Sequence, residues 1–364
     1  MSELQQARQQ IQEIDRQMAE LFLRRMAAAK EIAAYKQARG LPVEDLRQEE
    51  RLMDRAAALV PDPGLRAYYM QFLQSTLAVS KRYQHRLLEG ARIAYSGVEG
   101  AFAYIAAKRI FPDGILVAHA SFEEAYQAVA EGDCDSAVLP IENSFAGEVG
   151  QVTDLMFTGD LHVNGVYDLQ VTQNLLGVPG ATLADVKQVV SHPQALSQCR
   201  TYLRSRGFRE ISASNTAVAA RQVAEAGDRQ TAAIASFETA ELYGLTVLDH
   251  DINESKTNTT RFAVFSQAEQ DGAGSRDNQT FLLLFTVLDE AGSLAKALNV
   301  IGEYGFNMKA LRSRPMRNLP WHYYFYVEAE GDDSSEQGKR MIQALSSQCD
   351  RLKVVGRYTA VNPT

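Results

Sequence analysis

The sequence predicts a multi-domain chain: an all-α three-helix segment, then an α/β domain, then a ferredoxin-like α+β module. Three patterns predict this order. Residues 1–90 show helical periodicity without a convincing strand, residues 91–267 alternate strand-like and helical runs, and residues 280–357 follow the order βαββαβ. A chain of 364 residues also exceeds the size at which one hydrophobic core usually keeps growing.

The first segment has apolar residues at heptad-like spacing over residues 11–35. Gly40 ends this first helix, which spans about residues 4–39 and roughly 54 Å. A second helix is broken by the turn residues 61–64, and a third runs from about 65 to 88. So long a first helix has too few neighbours in its own chain to cover its apolar stripe, which favours a homodimer or higher homo-oligomer.

The middle segment alternates runs such as FEEAYQAVAEG (122–132) and SAVLPIE (136–142). This alternation is typical of parallel sheets with right-handed crossovers. Its length allows two lobes with a cleft between them, where ligands usually bind. The polar, glycine-rich residues 267–279 predict a linker. The last module then has two of its strands around Arg317-Asn318-Leu319-Pro320.

Composition excludes several classes of protein. The net charge is −8, and the acidic excess lies after residue 89, which argues against nucleic acid as a partner. Cys134, Cys199 and Cys349 have neither metal-ligand nor disulfide-framework spacing, so no metal is expected. The polar N-terminus has no apolar signal core, and no uncharged apolar run is long enough to span a membrane. We therefore expect a cytoplasmic protein.

Two cations lie on the apolar stripe of the first helix. Arg25 and Lys36 are 11 residues apart, which returns to within about 20° of the same helix face. They either bind an anion or extend out of a coiled coil into solvent. Arg8 lies 17 residues from Arg25, roughly 25 Å along the axis, so it can join them only from a partner chain. Two polar pairs at i, i+4 project from the later helices; these are Asp45 with Glu49, and Ser80 with Gln84.

Together these residues resemble the all-helical chorismate mutase family over nearly all of residues 1–89. The resemblance implies an intertwined dimer of three-helix chains that needs no cofactor. Arg8 and Arg25 would hold the carboxylates of chorismate, with Asp45 and Ser80 in the same pocket. Lys36 and Gln84 would stabilise charge on the breaking ether oxygen, assisted by Glu49. Gln48 stands where the family usually has arginine.

Polar residues also follow several predicted strands of the middle segment. They occur at residues 93–100, 139–144 and 191–198, and the polar residues at 258–262 open the last strand. Each is individually a common cap or turn, but four at strand ends of one domain indicate a site for a carboxylic acid.

The motifs YSGVEGAFA, LPIENSFAGEV, SHPQALSQC, AAIASFETAELYGLTVL and NTTRF resemble prephenate dehydratase over residues 92–267. The resemblance implies two Rossmann-like lobes, as in periplasmic binding proteins, with prephenate between them. Thr260 would hydrogen-bond the departing hydroxyl, Arg261 would bind a carboxylate and Phe262 would complete the motif. Other residues would line the cleft, namely Glu142, Asn143, Ser144, Ser191 and Gln198. Gln173 replaces a histidine common in the family.

Residues 280–357 resemble an ACT domain, which implies a pairing module that binds L-phenylalanine as an effector. Two motifs carry this resemblance: Gly292-Ser293-Leu294 and Arg312-Ser313-Arg314-Pro315. Arg312 replaces a glutamate beside the expected position of the effector's ammonium group, where like charges would be unfavourable.

The sequence thus predicts an enzyme of phenylalanine biosynthesis that rearranges chorismate to prephenate and converts prephenate to phenylpyruvate without a cofactor. Three alternatives stay open. The mutase can be weak, the dehydratase can accept arogenate, or the chain can sense amino acids without catalysis.

Overall fold

The computed structural model describes residues 2–269, 279–317 and 319–361. These residues belong to two compact units that divide between Ala91 and Arg92. Part of the predicted linker, residues 270–278, and Asn318 of the predicted turn lie outside the described residues. Within the described ranges, no helix is long and apolar enough to cross a membrane.

The first unit is helical, as predicted. Each helix begins at a side chain that accepts a hydrogen bond from its first turn, namely Ser2, Asp45 or Asp62. Such caps satisfy amides that have no partner within the helix. The helices are α1 (Glu3–Gln37), α2 (Leu46–Ala57) and α3 (Pro63–Glu89).

Helix α1 leaves most of its apolar stripe in solvent. Only Ala29 and Ala33 of its residues are buried. Seven large apolar side chains are each at least 43% exposed: Ile11, Ile14, Met18, Leu21, Phe22, Ile32 and Tyr35. Exposed apolar patches of this kind mark interaction surfaces, so the structure is consistent with dimerisation, which stays a prediction.

The second unit begins with two α/β lobes. The first contains β1 (Arg92–Ser96), α4 (Phe102–Ile110), β2 (Ile115–His119), α5 (Phe122–Glu131), β3 (Ser136–Asn143), β4 (Gly147–Glu148), α6 (Gly150–Thr158) and β5 (His162–Gln170). The second contains β6 (Asn174–Gly177), β7 (Gln188–Ser191), α7 (Pro193–Gln198), α8 (Arg200–Arg206), β8 (Arg209–Ser212), α9 (Thr216–Ala226), β9 (Thr231–Ala235), α10 (Phe237–Tyr243) and β10 (Thr246–Asp249). Strand β11 (Thr259–Ser266) then returns to the first lobe.

The expectation of parallel sheets was only partly right. Strands β2, β1 and β3 are parallel, as are β8, β7 and β9. Strand β11 runs antiparallel to both β3 and β5, and β6 runs antiparallel to β9 and β10. The sheets are mixed because the chain crosses between the lobes, and β11 re-enters the first sheet in the reverse direction.

The βαββαβ order of the last module is confirmed. Its elements are β12 (Gln279–Thr286), α11 (Ser293–Glu303), β13 (Asn307–Pro315), β14 (Tyr323–Glu330), α12 (Glu336–Ser346) and β15 (Arg351–Val361), with sheet order β13-β14-β12-β15. Side chains of β12 alternate between two apolar cores. Phe281, Leu283 and Phe285 pack with the module's helices, whereas Leu282 and Leu284 pack with the first lobe.

The module continues the sheet of the first lobe. Strand β15 pairs in parallel with β5, which joins both into one ten-stranded sheet. Gly356 lies opposite Val163 in this pairing, and a Cβ at Gly356 would collide with the Val163 carbonyl. Glycine therefore permits the close approach of the two backbones. This packing of the module onto the first lobe was not predicted from the sequence.

Leu284→Ala should destabilise the second unit by about 2–5 kcal/mol, because the fully buried leucine fills the core shared by module and lobe. Urea unfolding followed by circular dichroism measures the change. Leu288→Ala is the control, since Leu288 is 57% exposed and should cost less than about 0.5 kcal/mol. Equal effects of the two substitutions would show that this shared core does not stabilise the fold.

Candidate active sites

In the helical unit, the predicted cation Arg25 faces α3. Its Nη1 donates to the Thr76 carbonyl at 3.4 Å, and burial lowers its pKa from the ordinary value. The Lys36 Nζ donates to the Val43 carbonyl at 2.5 Å. Among the described residues no carboxylate pairs with Arg25. A half-buried guanidinium bonded to a carbonyl retains donors for an anionic ligand.

Ser80 and Gln84 are buried on α3. The Gln84 Nε2 donates to the Ser80 carbonyl at 3.3 Å, while Gln84 Oε1 and Ser80 Oγ are buried without a partner among the described residues. Buried polar atoms normally have hydrogen-bond partners. The two atoms therefore suit a polar ligand in this unit.

The other predicted mutase residues are placed differently. Glu49 forms a 3.0 Å ion pair with Lys81, and Asp45 caps α2 by accepting from the Gln48 amide. Arg8 is exposed near the start of α1. At 1.5 Å per residue it is roughly 25 Å from Arg25 along the same helix, so one chain does not bring these two arginines together.

A cavity of about 370 Å³ lies between the two lobes of the second unit. The first turns of α4, α7 and α9 contribute to its lining, as does Val149, the residue immediately before α6. Asn215 caps α9 and His192 caps α7, but no side chain caps α4 or α6. Uncapped helix starts offer free amides and a positive dipole end, so two sides of the cavity favour anions.

Thr260 lines this cavity beside Asn143. The Asn143 Nδ2 donates to Thr260 Oγ1 at 2.9 Å and to Asn258 Oδ1 at 2.9 Å. The Asn143 Oδ1 accepts from the amides of Phe145 and Ala146, which fixes the orientation of the carboxamide. Because Thr260 Oγ1 already accepts a hydrogen bond, its own proton is available for a ligand.

Arg261 and Glu142 do not line the cavity, contrary to expectation. Side chains alternate along a strand, so Thr260 and Phe262 of β11 face the cavity while Arg261 points to the other face. Glu142 pairs with Arg261 across β3 and β11, and Asn143 pairs with Thr260. The carboxylate-binding role assigned to Arg261 is therefore not supported by its position.

Arg261 instead binds Glu328 of the ferredoxin-like module. Its Nη1 and Nη2 donate to the two carboxylate oxygens at 2.9 and 3.0 Å, and Tyr326 and Tyr358 donate to the same carboxylate. Burial alone would raise the pKa of Glu328, but these hydrogen bonds, chiefly from Arg261, hold it below its ordinary value. Burial would lower the pKa of Arg261, and Glu328 raises it well above normal.

Two predicted serines also lie outside the cavity lining. The Ser191 Oγ is fully buried and donates to the Ile234 carbonyl at 2.7 Å. The Ser144 Oγ donates to the Thr257 carbonyl and accepts from the Thr259 amide. Both serines hold strand ends and turns in place.

Gln198 does line the cavity, where it accepts a 3.3 Å hydrogen bond from Gln173 Nε2. Gln173 is buried there and its Oε1 has no partner among the described residues. Sequence reasoning missed Asn215 and Thr216, which also line the cavity. The signal was available, since Asn followed by a helical run is typical of a helix start.

The predicted effector motifs lie in the last module. Gly292 is the N-cap residue before α11, with φ of 85°, and Ser293 and Leu294 lie in the first turn of the helix. Ser313 and Pro315 are exposed on β13. Arg312 contacts Glu142 at 2.6 Å, and Arg314 binds Asp154 of α6 at 3.0 Å. The two arginines thus point into the first lobe.

Comparisons with known proteins cover both units. The family model for chorismate mutase type II matches residues 7–85, and that for prephenate dehydratase matches residues 93–270. The bifunctional chorismate mutase/prephenate dehydratase of Escherichia coli K12 is 30% identical over 371 residues, covering 98% of this chain and 96% of the relative.

Two further proteins resemble about three quarters of the chain. Arogenate dehydratase/prephenate dehydratase 1 of Arabidopsis thaliana, a chloroplastic protein, is 34% identical over 281 residues, covering 73% of this chain and 71% of the relative. A solved structure of GqqA, described as a novel type of quorum quenching acylase, has a TM-score of 0.69 and 31% identity. It covers 74% of this chain and 98% of its own.

Glu328→Gln should lower the free energy of unfolding at pH 7 and make that free energy depend less on pH in the acid range. A carboxylate whose folded pKa is lowered stabilises the fold above its unfolded pKa of about 4.3. That stabilisation is lost as pH falls through the folded pKa. Between about pH 5 and 3, the free energy of unfolding should therefore fall less in the variant than in the parent.

Urea unfolding at pH 7, 5 and 3 measures this difference. Glu330→Gln is the control, because Glu330 lies on the same strand in an exposed pair with Lys309 and exposed pairs contribute little. An acid dependence of Glu328→Gln identical to that of the parent would contradict the prediction.

Proposed function

Because the chain belongs to the bifunctional chorismate mutase/prephenate dehydratase family, we propose that each compact unit performs one of two consecutive reactions. The helical unit rearranges chorismate to prephenate, and the second unit converts prephenate to phenylpyruvate in phenylalanine biosynthesis. The two family models match the two units separately. The Escherichia coli relative, which carries both names, aligns over nearly the whole chain.

In the helical unit, Arg25 and Lys36 would bind the carboxylates and the ether oxygen of chorismate. The rearrangement is unimolecular, so holding the compact conformer and stabilising charge are sufficient for catalysis. Gln84 and Ser80 supply polar atoms that lack partners in the described chain. Arg8 would complete the pocket of a second copy, which the exposed apolar stripe of α1 would bind to form a homodimer or a larger assembly.

In the second unit, the hydrogen bond from Asn143 to Thr260 is the observation that carries the assignment. Prephenate loses its ring carboxylate as CO₂ and its ring hydroxyl as water, and aromatisation drives the reaction. The departing hydroxyl needs a proton or a strong hydrogen bond. With its oxygen occupied by Asn143, Thr260 presents its hydroxyl proton to the cavity and would orient or relay a proton to the leaving group.

The two carboxylates of prephenate would bind the free amides at the starts of α4 and α6. Neither start has a side-chain cap; Phe102 and Ala103 of α4 line the cavity, and so does Val149 immediately before α6. Binding by amides replaces the role first assigned to Arg261, whose guanidinium is engaged by Glu328. Arogenate shares the reacting ring and differs only in its side chain, so it stays an alternative substrate. The cytoplasmic location also stays a prediction.

We further propose that the last module is an ACT domain that binds L-phenylalanine. Its βαββαβ order and the motifs at 292–294 and 312–315 support this assignment. Since Arg312 is paired with Glu142, its charge is largely neutralised. It would therefore oppose an effector's ammonium group less than a free arginine would.

A two-step assay separates the activities. Lys36→Ala should reduce formation of phenylpyruvate from chorismate by about 100-fold or more while leaving turnover of supplied prephenate intact. Thr260→Ala should reduce turnover of prephenate by about 10²–10³-fold and cause prephenate to accumulate from chorismate. The products are followed by absorbance and chromatography, with arogenate supplied in parallel.

The matched controls are Lys30→Ala and Thr259→Ala. Lys30 is an exposed lysine on α1, and Thr259 is next to Thr260 in the chain but does not line the cavity. Both should retain parental rates. Turnover of prephenate by Thr260→Ala within a few-fold of the parent would refute the role of Thr260. No product from either substrate would favour an amino-acid sensor.

L-phenylalanine should bind the full-length protein and lower its rate of prephenate turnover, because the proposed effector site and the cavity belong to one compact unit. Isothermal titration measures binding, and the rate with increasing ligand measures inhibition. D-phenylalanine is the control, since a chiral site should discriminate between the enantiomers. Absence of heat with L-phenylalanine would exclude effector binding.

A further inference from the structure

Four charged residues meet where the ferredoxin-like module contacts the first lobe. We name Glu142, Arg261, Arg312 and Glu328 the charge cluster. Arg312 contributes from β13 and Glu328 from β14, whereas Glu142 and Arg261 belong to β3 and β11. Their contacts are short, with Arg312 Nη2 at 2.6 Å and Arg261 Nη1 at 3.3 Å from the Glu142 carboxylate.

Arg261 alone cannot neutralise both carboxylates of the cluster. Its two terminal nitrogens are directed at Glu328, which is 3% exposed. Without Arg312, Glu142, Glu328 and the half-exposed Asp168, which lies 3.8 Å from Arg261 Nε, would share one guanidinium and leave a net negative charge in a half-buried site. An unpaired charge in such surroundings is strongly disfavoured, so Arg312 balances the cluster.

Burial by itself would lower the pKa of Arg312, but the charge of Glu142 raises it above its ordinary value. The guanidinium also lies 5.1 Å from the ring centroid of Tyr326. The Arg312 side chain is therefore fixed by both the Glu142 carboxylate and the Tyr326 ring.

The charge cluster contacts β3 and β11 at the residues next to Asn143 and Thr260, which line the cavity. Glu142 precedes Asn143 on β3, and Arg261 follows Thr260 on β11. Asn143 and Thr260 are opposite each other in the sheet, as are Glu142 and Arg261. Successive side chains face opposite sides of a strand, so Glu142 and Arg261 face the module while Asn143 and Thr260 face the cavity. Holding the first pair in place therefore also holds the backbone that positions the second pair.

We infer that Arg312 is a positioning residue for the dehydratase reaction: from the ferredoxin-like module, it holds Glu142 and thereby aligns the Asn143–Thr260 hydrogen bond in the cavity. The inference rests on the proposed role of Thr260. It assigns Arg312 to catalysis by alignment, a role distinct from contact with an effector.

The test uses the full-length protein and the steady-state kinetics of prephenate. Arg312→Glu should lower kcat by about 10- to 100-fold, because small misplacements of a reacting group have effects of this size. KM should change by less than about threefold, since the amides at α4 and α6 that would bind the carboxylates are not moved. Arg312→Lys keeps the cation and should retain most of kcat.

The charge-swapped variant Arg312→Glu with Glu142→Arg should recover part of the lost kcat, because the cluster again has two cations and two carboxylates. Lys309→Glu is the matched control, since Lys309 lies on the same strand in an exposed ion pair with Glu330. It should retain the parental kcat. Chorismate rearrangement by the helical unit should be unchanged in every variant.

Thermal unfolding of each variant separates alignment from folding. Where Arg312→Glu is not fully folded at the assay temperature, Arg312→Gln replaces it in the comparison. A kcat within twofold of the parent in the folded variants would overturn the inference, as would a loss that matches only the unfolded fraction. Inactivity of the parent toward prephenate would instead refute the proposed function of the second unit.

Discussion

The buried carboxylate of Glu328 is the group on which the arrangement of the second unit depends. It lies in the ferredoxin-like module but accepts two hydrogen bonds from Arg261 of the catalytic sheet and two more from tyrosines of the module. A buried carboxylate is tolerated only when cations and hydrogen bonds replace the water it has lost. Its requirement for Arg261 therefore fixes β11 against the module, and the module and the first lobe also share one apolar core.

Three consecutive residues of β11 consequently have two different roles. Thr260 and Phe262 belong to the cavity, whereas Arg261 belongs to the interface with the module. The same division occurs on β3 between Asn143 and Glu142. A polar sequence motif on a strand therefore contains residues for the site and residues for the structure that supports it.

Local patterns of the sequence were sufficient to predict the helices of the first unit, because caps, glycine and proline act over a few residues. They also predicted the βαββαβ order and placed Thr260, Asn143 and Gln198, which line the cavity. The roles of Arg261, Glu142 and Arg312 were not predictable in this way. They depend on partners more than 60 residues away in the chain, and on which face of a strand meets the cavity.

The parallel pairing of β15 with β5 limits how the chain can be shortened. Without residues 351–361, β5 would become the edge of the catalytic sheet, with unpaired amides and carbonyls along one side. Removing the whole module would also take away Leu282 and Leu284, which belong to the same apolar core as Leu139 and Phe265 of that sheet. The C-terminal module is thus a structural part of the catalytic domain. A minimal dehydratase made by deleting it would expose an unpaired strand edge that favours aggregation, together with part of its own apolar core.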